Sequence, residues 1–289
     1  MKNSVAALVI LYNYDAQCIE NIKSYIEDVD IVYAYDNSTV KNAEMEKSLR
    51  ALDKLCFIDG KGNNGLPKAI NQVAKMAIKA GYKWLITFDQ DSVADQDMIK
   101  RLKEFTETYP HIEEVGLIGP AVHNKARSFD KVQNPFTYCE WIIQSGALHN
   151  LEILKKVKGY DERLFIDQVD IEYCMRLKYY KYKVIKVNQA VLIHNTLDDN
   201  VKTFFRRGRR ILLNKFSTMR YYYIMRNNLY CKKRYKKLDD QYVIQLKRNI
   251  STLFLNLLYD NKKWEHLKAI FYGIIDYKLN RMGKTERKF

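Results

Sequence analysis

A run of apolar, aromatic and β-branched residues, Trp84-Leu85-Ile86-Thr87-Phe88, stops abruptly at two carboxylates one residue apart in Asp89-Gln90-Asp91-Ser92. Such a run reads as a buried strand. Comparable runs at 5–11, 31–35, 55–58 and 115–120 predict further strands, and apolar residues at helical spacing predict helices over 18–29, 43–52, 67–80 and 98–108. Pro67 suits the first turn of its helix, and Gly81 suits the cap at its end. Strand and helix therefore alternate, which restricts this stretch to an α/β fold with a mostly parallel sheet covered by helices on both faces. Open sheets of that kind bind ligands beyond the carboxyl ends of their strands. Asp89 and Asp91 fall at such an end, and so does Asp36-Asn37-Ser38 after the second run.

Further along, 121–140 reads as irregular and 142–148 as a strand-to-loop passage across Gly146. Helices are expected over 151–156 and 169–181, and short strands at 183–187 and 190–194. From about residue 200 the composition changes. Arg, Lys, Tyr and Leu recur at helical spacing, and Gly and Pro almost vanish. Residues 1–199 hold 26 Lys/Arg against 28 Asp/Glu, and residues 200–289 hold 23 against 6, so the net charge of +15 comes from the last third. The expected organisation is an α/β domain over 1–199 and a basic helical extension over 200–289.

The apolar content of 47% belongs to a globular chain and excludes a disordered one. The five cysteines are scattered, odd in number and without a CxxC pair, which suggests neither a disulfide framework nor a zinc site and fits a reducing compartment. The first residues resemble a signal peptide only superficially, because Tyr12-Asn13-Tyr14-Asp15 stands where a small-residue cleavage site belongs. No apolar run approaches the roughly 20 residues that a spanning helix needs.

Two neighbouring carboxylates repel, and an unneutralised pair is costly. Mg²⁺ or Mn²⁺, which favour oxygen ligands, would relieve that repulsion at Asp89 and Asp91 and hold a diphosphate. The plainer alternative is a polar turn after a strand. The motif alone leaves both open.

Several other words follow a fixed order along the chain. They are Asp36-Asn37-Ser38, Gly62-Asn63-Asn64-Gly65-Leu66-Pro67-Lys68-Ala69-Ile70-Asn71-Gln72, Trp84 to Ser92, and Ser145-Gly146. Gly159-Tyr160-Asp161-Glu162 with Leu164-Phe165-Ile166-Asp167, then Val169-Asp170-Ile171-Glu172-Tyr173-Cys174-Met175-Arg176, and finally His194 complete the set. Over about residues 5–230 this order resembles the inverting family 2 glycosyltransferases, and among them the rhamnosyltransferase subgroup. Any one word is weak, whereas the ordered set is specific.

The resemblance implies the GT-A fold, a Rossmann-like, mostly parallel mixed sheet flanked by helices, here followed by the basic helical extension. It implies nucleotide contacts at Tyr12, Asp36, Asn64, Lys68 and Asp89. Asp36 would accept from the nucleobase imide, Asp89 would hold the ribose or support the metal, and Lys68 would neutralise the diphosphate. Asp91, with Asp89 and His194, would hold Mn²⁺ or Mg²⁺. Trp141, Ser145, Gly146 and Glu172 would lie near the sugar and acceptor. The catalytic base falls on Asp170. The family acid that precedes it is replaced by Val169, which leaves Asp167 as the competing candidate. A carboxylate suits a task in which it takes the proton of an attacking hydroxyl. Plainer roles remain for each: a turn at Asp36, a solvated helix lysine at Lys68, a helix-dipole partner at Asp170, a structural His194 and a core Trp141.

The donor so implied is a nucleotide-diphosphate sugar, dTDP-β-L-rhamnose, with a UDP-hexose as the alternative. The acceptor would be a polyprenyl-diphosphate-linked saccharide of capsule, O-antigen or wall polysaccharide assembly. The words Phe204 to Arg210, Arg220-Tyr221-Tyr222-Tyr223-Ile224-Met225-Arg226 and Lys232 to Lys237 interleave cations with aromatics. That chemistry suits an anionic membrane surface. It also suits a nucleic-acid surface, or an extension that packs by its own Leu, Ile and Tyr. The resemblance favours the membrane, with a cytoplasmic protein peripheral on the inner face of the plasma membrane. A nucleic-acid-binding protein would leave the acidic groups without a task, so no nucleic-acid partner is expected. A nucleotidyltransferase would need a glycine-rich, basic phosphate loop that the first strand lacks.

Overall fold

The computed structural model describes residues 4–123, 134–194, 201–206, 209–214, 216–259 and 261–289, with the side chains of 194 and 201–214 outside the description. The chain divides into two compact units, one of Met1–Glu162 with Asp170–Asn195, the other of Arg163–Val169 with Thr196–Phe289. The boundary expected at 199/200 lies outside the described residues. Arg163–Val169, which the sequence assigned to the first domain, belongs to the second unit.

The first unit opens with β1 (Val5–Leu11), α1 (Gln17–Lys23), β2 (Ile31–Asp36), α2 (Ala43–Arg50), β3 (Leu55–Asp59), α3 (Leu66–Lys79), β4 (Trp84–Asp89), β5 (Ser92–Ala94) and α4 (Met98–Thr108). It continues with β6 (Val115–His123), β7 (Phe136–Tyr138), β8 (Ala147–Asn150), α5 (Leu151–Lys156), α6 (Val169–Tyr179) and β9 (Lys183–His194). The strands form one sheet in the order β3-β2-β1-β4-β8-β6-β9-β5, with β7 also on β9. β3, β2, β1 and β4 run parallel, β8 is antiparallel to β4 and β6, and β9 runs parallel to β6. All seven residues of β1 are buried. That explains its unbroken apolar text, since a parallel sheet covered on both faces has no solvated side. Within the core, the Tyr25 and Phe88 rings stack with centroids 3.9 Å apart.

Three local expectations change. The helix predicted over 18–29 stops at Lys23, where the Ser24 hydroxyl turns back to donate to Asn21 O at 2.6 Å. Such local bonds compete with helix continuation, and a single 3₁₀ turn, Ile26–Asp28, follows. Ser92–Ala94 is a strand and not only a turn, because it pairs with the end of β9. The two short strands predicted at 183–187 and 190–194 are one strand carrying a bulge. Its register against β6 jumps from Pro120↔Val187 to Ala121↔Val191. Proline has no N–H for a ladder and is tolerated at bulges.

His149, on β8, is fully buried and sits 3.0 Å from Leu85 O through Nδ1 and 2.7 Å from the Tyr160 hydroxyl through Nε2. Burial pushes its pKa from 6.5 down to about 4. The unfolded chain therefore takes up a proton below pH 6.5 that the folded protein refuses until about pH 4. Above pH 6.5 the group contributes no pH dependence; stability falls as pH drops through that window, by roughly 3 kcal/mol at the acid end. Urea unfolding measured between pH 7 and pH 4 checks this, and His149→Gln should flatten the corresponding part of the profile.

The second unit holds β10 (Val201–Arg206) and β11 (Arg209–Asn214), paired antiparallel, then α7 (Thr218–Tyr235), α8 (Asp240–Leu257) and α9 (Lys263–Lys278). The helical text thus begins at Thr218. Val201, Thr203, Phe204, Phe205 and Ile211 before it are β-branched or aromatic and fit a pleated ribbon. Ser217 and Asp239 cap α7 and α8 by accepting from Arg220 N and Tyr242 N. The core comprises Tyr221, Tyr222, Tyr223, Leu253, Ala269 and Ile270, with Phe165. The word 220–226, whose aromatics were expected at a membrane, therefore faces inward. Successive helical residues lie about 100° apart, so three consecutive tyrosines face in every direction except one and stay buried only when helices pack around them. α8 and α9 do so. Among the described residues no helix is long and apolar enough to cross a membrane.

Candidate functional site

The parallel registers Leu11↔Asp36 and Ile10↔Asp89 bring the carboxyl ends of β2, β1 and β4 level. At this edge the loops are stitched by backbone and side-chain hydrogen bonds. Asn37 N–H donates to Leu11 O, Asn13 N–H to Ser38 Oγ, and Asn64 N–H to Asn37 Oδ1. Asp36 is almost fully buried. Its two carboxylate oxygens accept from Ser38 N–H at 2.9 Å and from Lys41 Nζ at 2.7 Å. Lys41 also reaches Asp59 at 2.6 Å. That hydrogen bond holds the Asp59 carboxyl below its usual range. Lys41 escaped the sequence reading, since nothing in its neighbourhood marks it apart from other loop lysines.

Asn64 spends its amide on Gly60 O and Gly62 O, and accepts from Lys68 Nζ at 3.2 Å. Lys68 is exposed in the first turn of α3. Tyr12, also exposed, donates its backbone N–H to Gln90 Oε1 at 2.7 Å, while Asn21 donates to Gln90 O. The residue between the two carboxylates is thus fastened at both its side chain and its carbonyl.

Asp89 is half-buried and Asp91 exposed. Gln144 Nε2 donates to Asp89 Oδ1 at 2.5 Å, and Asp89 N–H donates to Ser145 Oγ. Ser145 Oγ lies 2.7 Å from Ser92 Oγ. Ser145 is fully buried, and its hydroxyl ties the end of β4 to the start of β5. Gly146 has φ +75, and a Cβ there would meet Pro120 Cγ at 2.8 Å, so glycine serves the packing of this loop. Gln144 was not foreseen. It is buried, and its Oε1 has no hydrogen-bond partner among the described residues although Nε2 serves Asp89. His194 pairs opposite Ser92 in the β5–β9 register, one residue beyond Asp91; its ring lies outside the described residues. Trp141 is 43% exposed.

Asn71, from the long word that opens α3, accepts from Tyr160 N–H at 2.7 Å and donates to Tyr160 O at 2.9 Å. It clasps the turn so closely that a Cβ on Gly159, whose φ is +67, would lie 2.4 Å from Asn71 Oδ1. Glu172 is fully buried and ion-paired with Arg176, which also donates to Gly159 O at 2.6 Å and Val157 O at 3.3 Å. Its carboxylate therefore faces an internal arginine that braces the same turn. Asp170 stands in the first turn of α6 and is half-exposed. It shares a helix face with Cys174 four residues on, and Cys174 Sγ lies 4.0 Å from Ile142 O. Gln144, two residues further along, reaches Asp89. Asp167, in the second unit, is ion-paired with Arg220 at 2.5 Å.

Residues 9–138 match the family described as Glycosyl transferase family 2. The chain is similar to the dTDP-rhamnosyl transferase RfbF of Shigella flexneri, with 27% identity, 78% of this chain and 79% of that protein covered. Among solved structures, S. aureus TarS 1-349 superposes with a TM-score of 0.59 at 14% identity, covering 95% of this chain and 80% of that one. GalNAc-T7, crystallised with UDP, GalNAc and Mn²⁺, superposes with a TM-score of 0.56 at 11% identity, over 66% of this chain. Less than half of that enzyme, 44%, is matched. These structural likenesses establish the GT-A fold.

Proposed function

We propose that the chain, whose residues 9–138 match glycosyl transferase family 2, is a glycosyltransferase of that family and transfers L-rhamnose from dTDP-rhamnose, with inversion, to a lipid-linked saccharide of surface polysaccharide assembly. The observation that carries the site is the level edge of β2, β1 and β4, where Asp36 and Asp89 end adjacent strands and Asp91 follows. The donor rests on the likeness to the rhamnosyl transferase. A UDP-hexose is the second candidate, favoured by the TarS structure in complex with UDP-GlcNAc. Turnover assayed with dTDP-L-rhamnose beside UDP-glucose, UDP-galactose and UDP-GlcNAc decides between them. Release of nucleoside diphosphate with a UDP-hexose alone would overturn the rhamnosyl assignment.

The donor set suits a divalent cation. Asp89 and Asp91 flank Gln90 at the end of β4, and the backbone of His194 pairs opposite Ser92; two carboxylates and an imidazole are a donor set that Mn²⁺ or Mg²⁺ would accept. Mn²⁺ or Mg²⁺ would be held by Asp91 with Asp89 and His194, and when bound would stabilise charge on the departing diphosphate. Lys68 and N–H groups in the first turn of α3 would add to that stabilisation. Asp36, held by Ser38 N–H and Lys41, would accept from the base. Tyr12 and Asn64 line the nucleotide side. Asp170 takes the proton of the acceptor hydroxyl as it attacks the anomeric carbon. One displacement inverts that centre, so no enzyme nucleophile is required. The ion pair of Asp167 with Arg220 supports Asp170 as the base. The buried partners of Glu172, Ser145 and Gly146 favour bracing roles for them, leaving Trp141 for the sugar or acceptor.

For the basic extension we propose contact with an anionic membrane surface, here through α9. Trp264, Leu267 and Phe271 are exposed at 81%, 40% and 59%, spaced i, i+3, i+7 on one face, with exposed Lys263 and Lys268 alongside. Aromatic wedges flanked by lysines suit a headgroup layer. Co-sedimentation with phosphatidylglycerol vesicles should be strong at low salt, weak with phosphatidylcholine, and largely lost in Trp264→Glu/Phe271→Glu. Equal recovery of that double variant would sink this assignment.

A further inference from the structure

The segment Arg163–Val169 packs within the second unit, and its backbone is unusual. Phe165, Asp167 and Gln168 have φ of 64, 62 and 65, three left-handed non-glycine residues within four positions. Such a conformation persists only where its surroundings over-determine it. Here α7 supplies the surroundings. Asn227, fully buried, shares its side-chain N–H₂ among Ile166 O at 2.6 Å, Leu164 O at 2.9 Å and Asp167 O at 3.1 Å. Arg226, also fully buried, donates to Arg163 O at 3.3 Å and Leu164 O at 3.4 Å, and to Gly283 O at 2.8 Å. Arg220 pairs with the Asp167 carboxylate, Tyr242 donates to Gln168 Oε1, and the Phe165 ring stacks on Tyr223 with centroids 5.1 Å apart.

Phe165 lends its ring to the core of the bundle, but the left-handed backbone around it is held by polar partners as well. Arg220, Tyr223 and Asn227 recur at helical spacing, so one face of α7 addresses successive residues of the segment. The segment ends at Val169, the first residue of α6, and Asp170 follows. Backbone that is held in left-handed conformations clusters where a nearby group must be placed within tight limits.

We propose that Arg220 is a positioning residue for Asp170, acting through Asp167: the ion pair closes the left-handed segment and thereby fixes where α6 begins. The proposal rests on Asp170 as the base. An error of about 1 Å in such placement is enough to lower turnover by roughly 10²-fold.

The test is a double-mutant cycle in the full-length protein. Arg220 is partly exposed, so Arg220→Ala is expected to keep a melting temperature close to the parent, whereas Asp167 is nearly buried and at φ 62, so Asp167→Ala is expected to melt lower. Each should lower kcat about 10- to 100-fold with the donor KM little changed, and the double variant should lose no more than either alone. Arg220→Lys should recover part of the loss, and the pH dependence of kcat should move in each single variant. Parent-like kcat in both single variants, with Asp170→Asn inactive, overturns the positioning role and leaves the base assignment standing. A dead Asp167→Ala beside a fully active Arg220→Ala also overturns it, because Asp167 would then act by itself. Full activity of Asp170→Asn instead removes the base reading on which the proposal stands.

Discussion

Asp170→Asn is expected to lower the transfer rate about 10²- to 10⁴-fold, the usual contribution of a positioned base, which corresponds to roughly 3–5 kcal/mol on the barrier. The substitution keeps the size and shape of the side chain in the first turn of α6 and removes only its ability to take a proton. Donor affinity and melting temperature should stay near those of the parent, because the nucleotide contacts assigned to Asp36, Asn64 and Asp89 are untouched. Single-turnover measurement of nucleoside diphosphate release with acceptor present is the informative assay. It separates the loss of the base from any loss of binding. Undiminished turnover in this variant would transfer the base to another carboxylate.

Asp91→Asn removes the metal-dependent part of donor binding. In the parent protein, dTDP-rhamnose with Mn²⁺ at about 100 times its Kd should raise stability by about 2.7 kcal/mol, a melting shift of roughly 5–10 °C. Chelation of the metal should shrink that shift, and Asp91→Asn should abolish the difference between metal and chelator. Asp91 is exposed, so the unliganded variant should melt with the parent, and the experiment reads the site and not the fold. Turnover should fall with the shift if the bound cation is what would stabilise the departing diphosphate. A variant that retains both the metal-dependent shift and turnover would leave Asp91 as a turn residue after a strand.

Much of the first unit is legible from local text. Each parallel strand is buried on both faces, so its apolar run is continuous and hard to mistake, and β1, β4 and α4 begin and end within a residue of their expected limits. Less legible are the places where a tertiary partner overrules the local pattern. β5 has only three residues and exists because β9 pairs with it. β9 itself looks like two strands until its register against β6 displays the bulge at Pro120. Lys41 and Gln144 carry no local signal, since a lysine in a loop and a glutamine beside a buried serine gain meaning only from the carboxylates they reach.

The second unit is the instructive case. Arg220 to Arg226 spells cations among aromatics, and composition cannot tell a membrane face from a core, because both bury aromatic rings and both tolerate a cation above a ring. Arg226 is fully buried with its guanidinium 4.9 Å from the centre of the Tyr223 ring. It can sit there because backbone carbonyls of Arg163, Leu164 and Gly283 satisfy its donors.

By itself the sequence determined the alternation of strands and helices over 5–108 and the acidic residues at the strand ends, because these depend on periodicity and chain order, which are local; the GT-A class it implied only through resemblance to a family. Only the tertiary structure decided that Glu172 is spent on Arg176, that Asp167 is spent on Arg220, and that the aromatic face of α7 grips the backbone before Asp170 instead of meeting solvent. Those outcomes depend on which of several equally charged or equally apolar neighbours a side chain meets, and that choice is made by packing across dozens of residues of intervening chain.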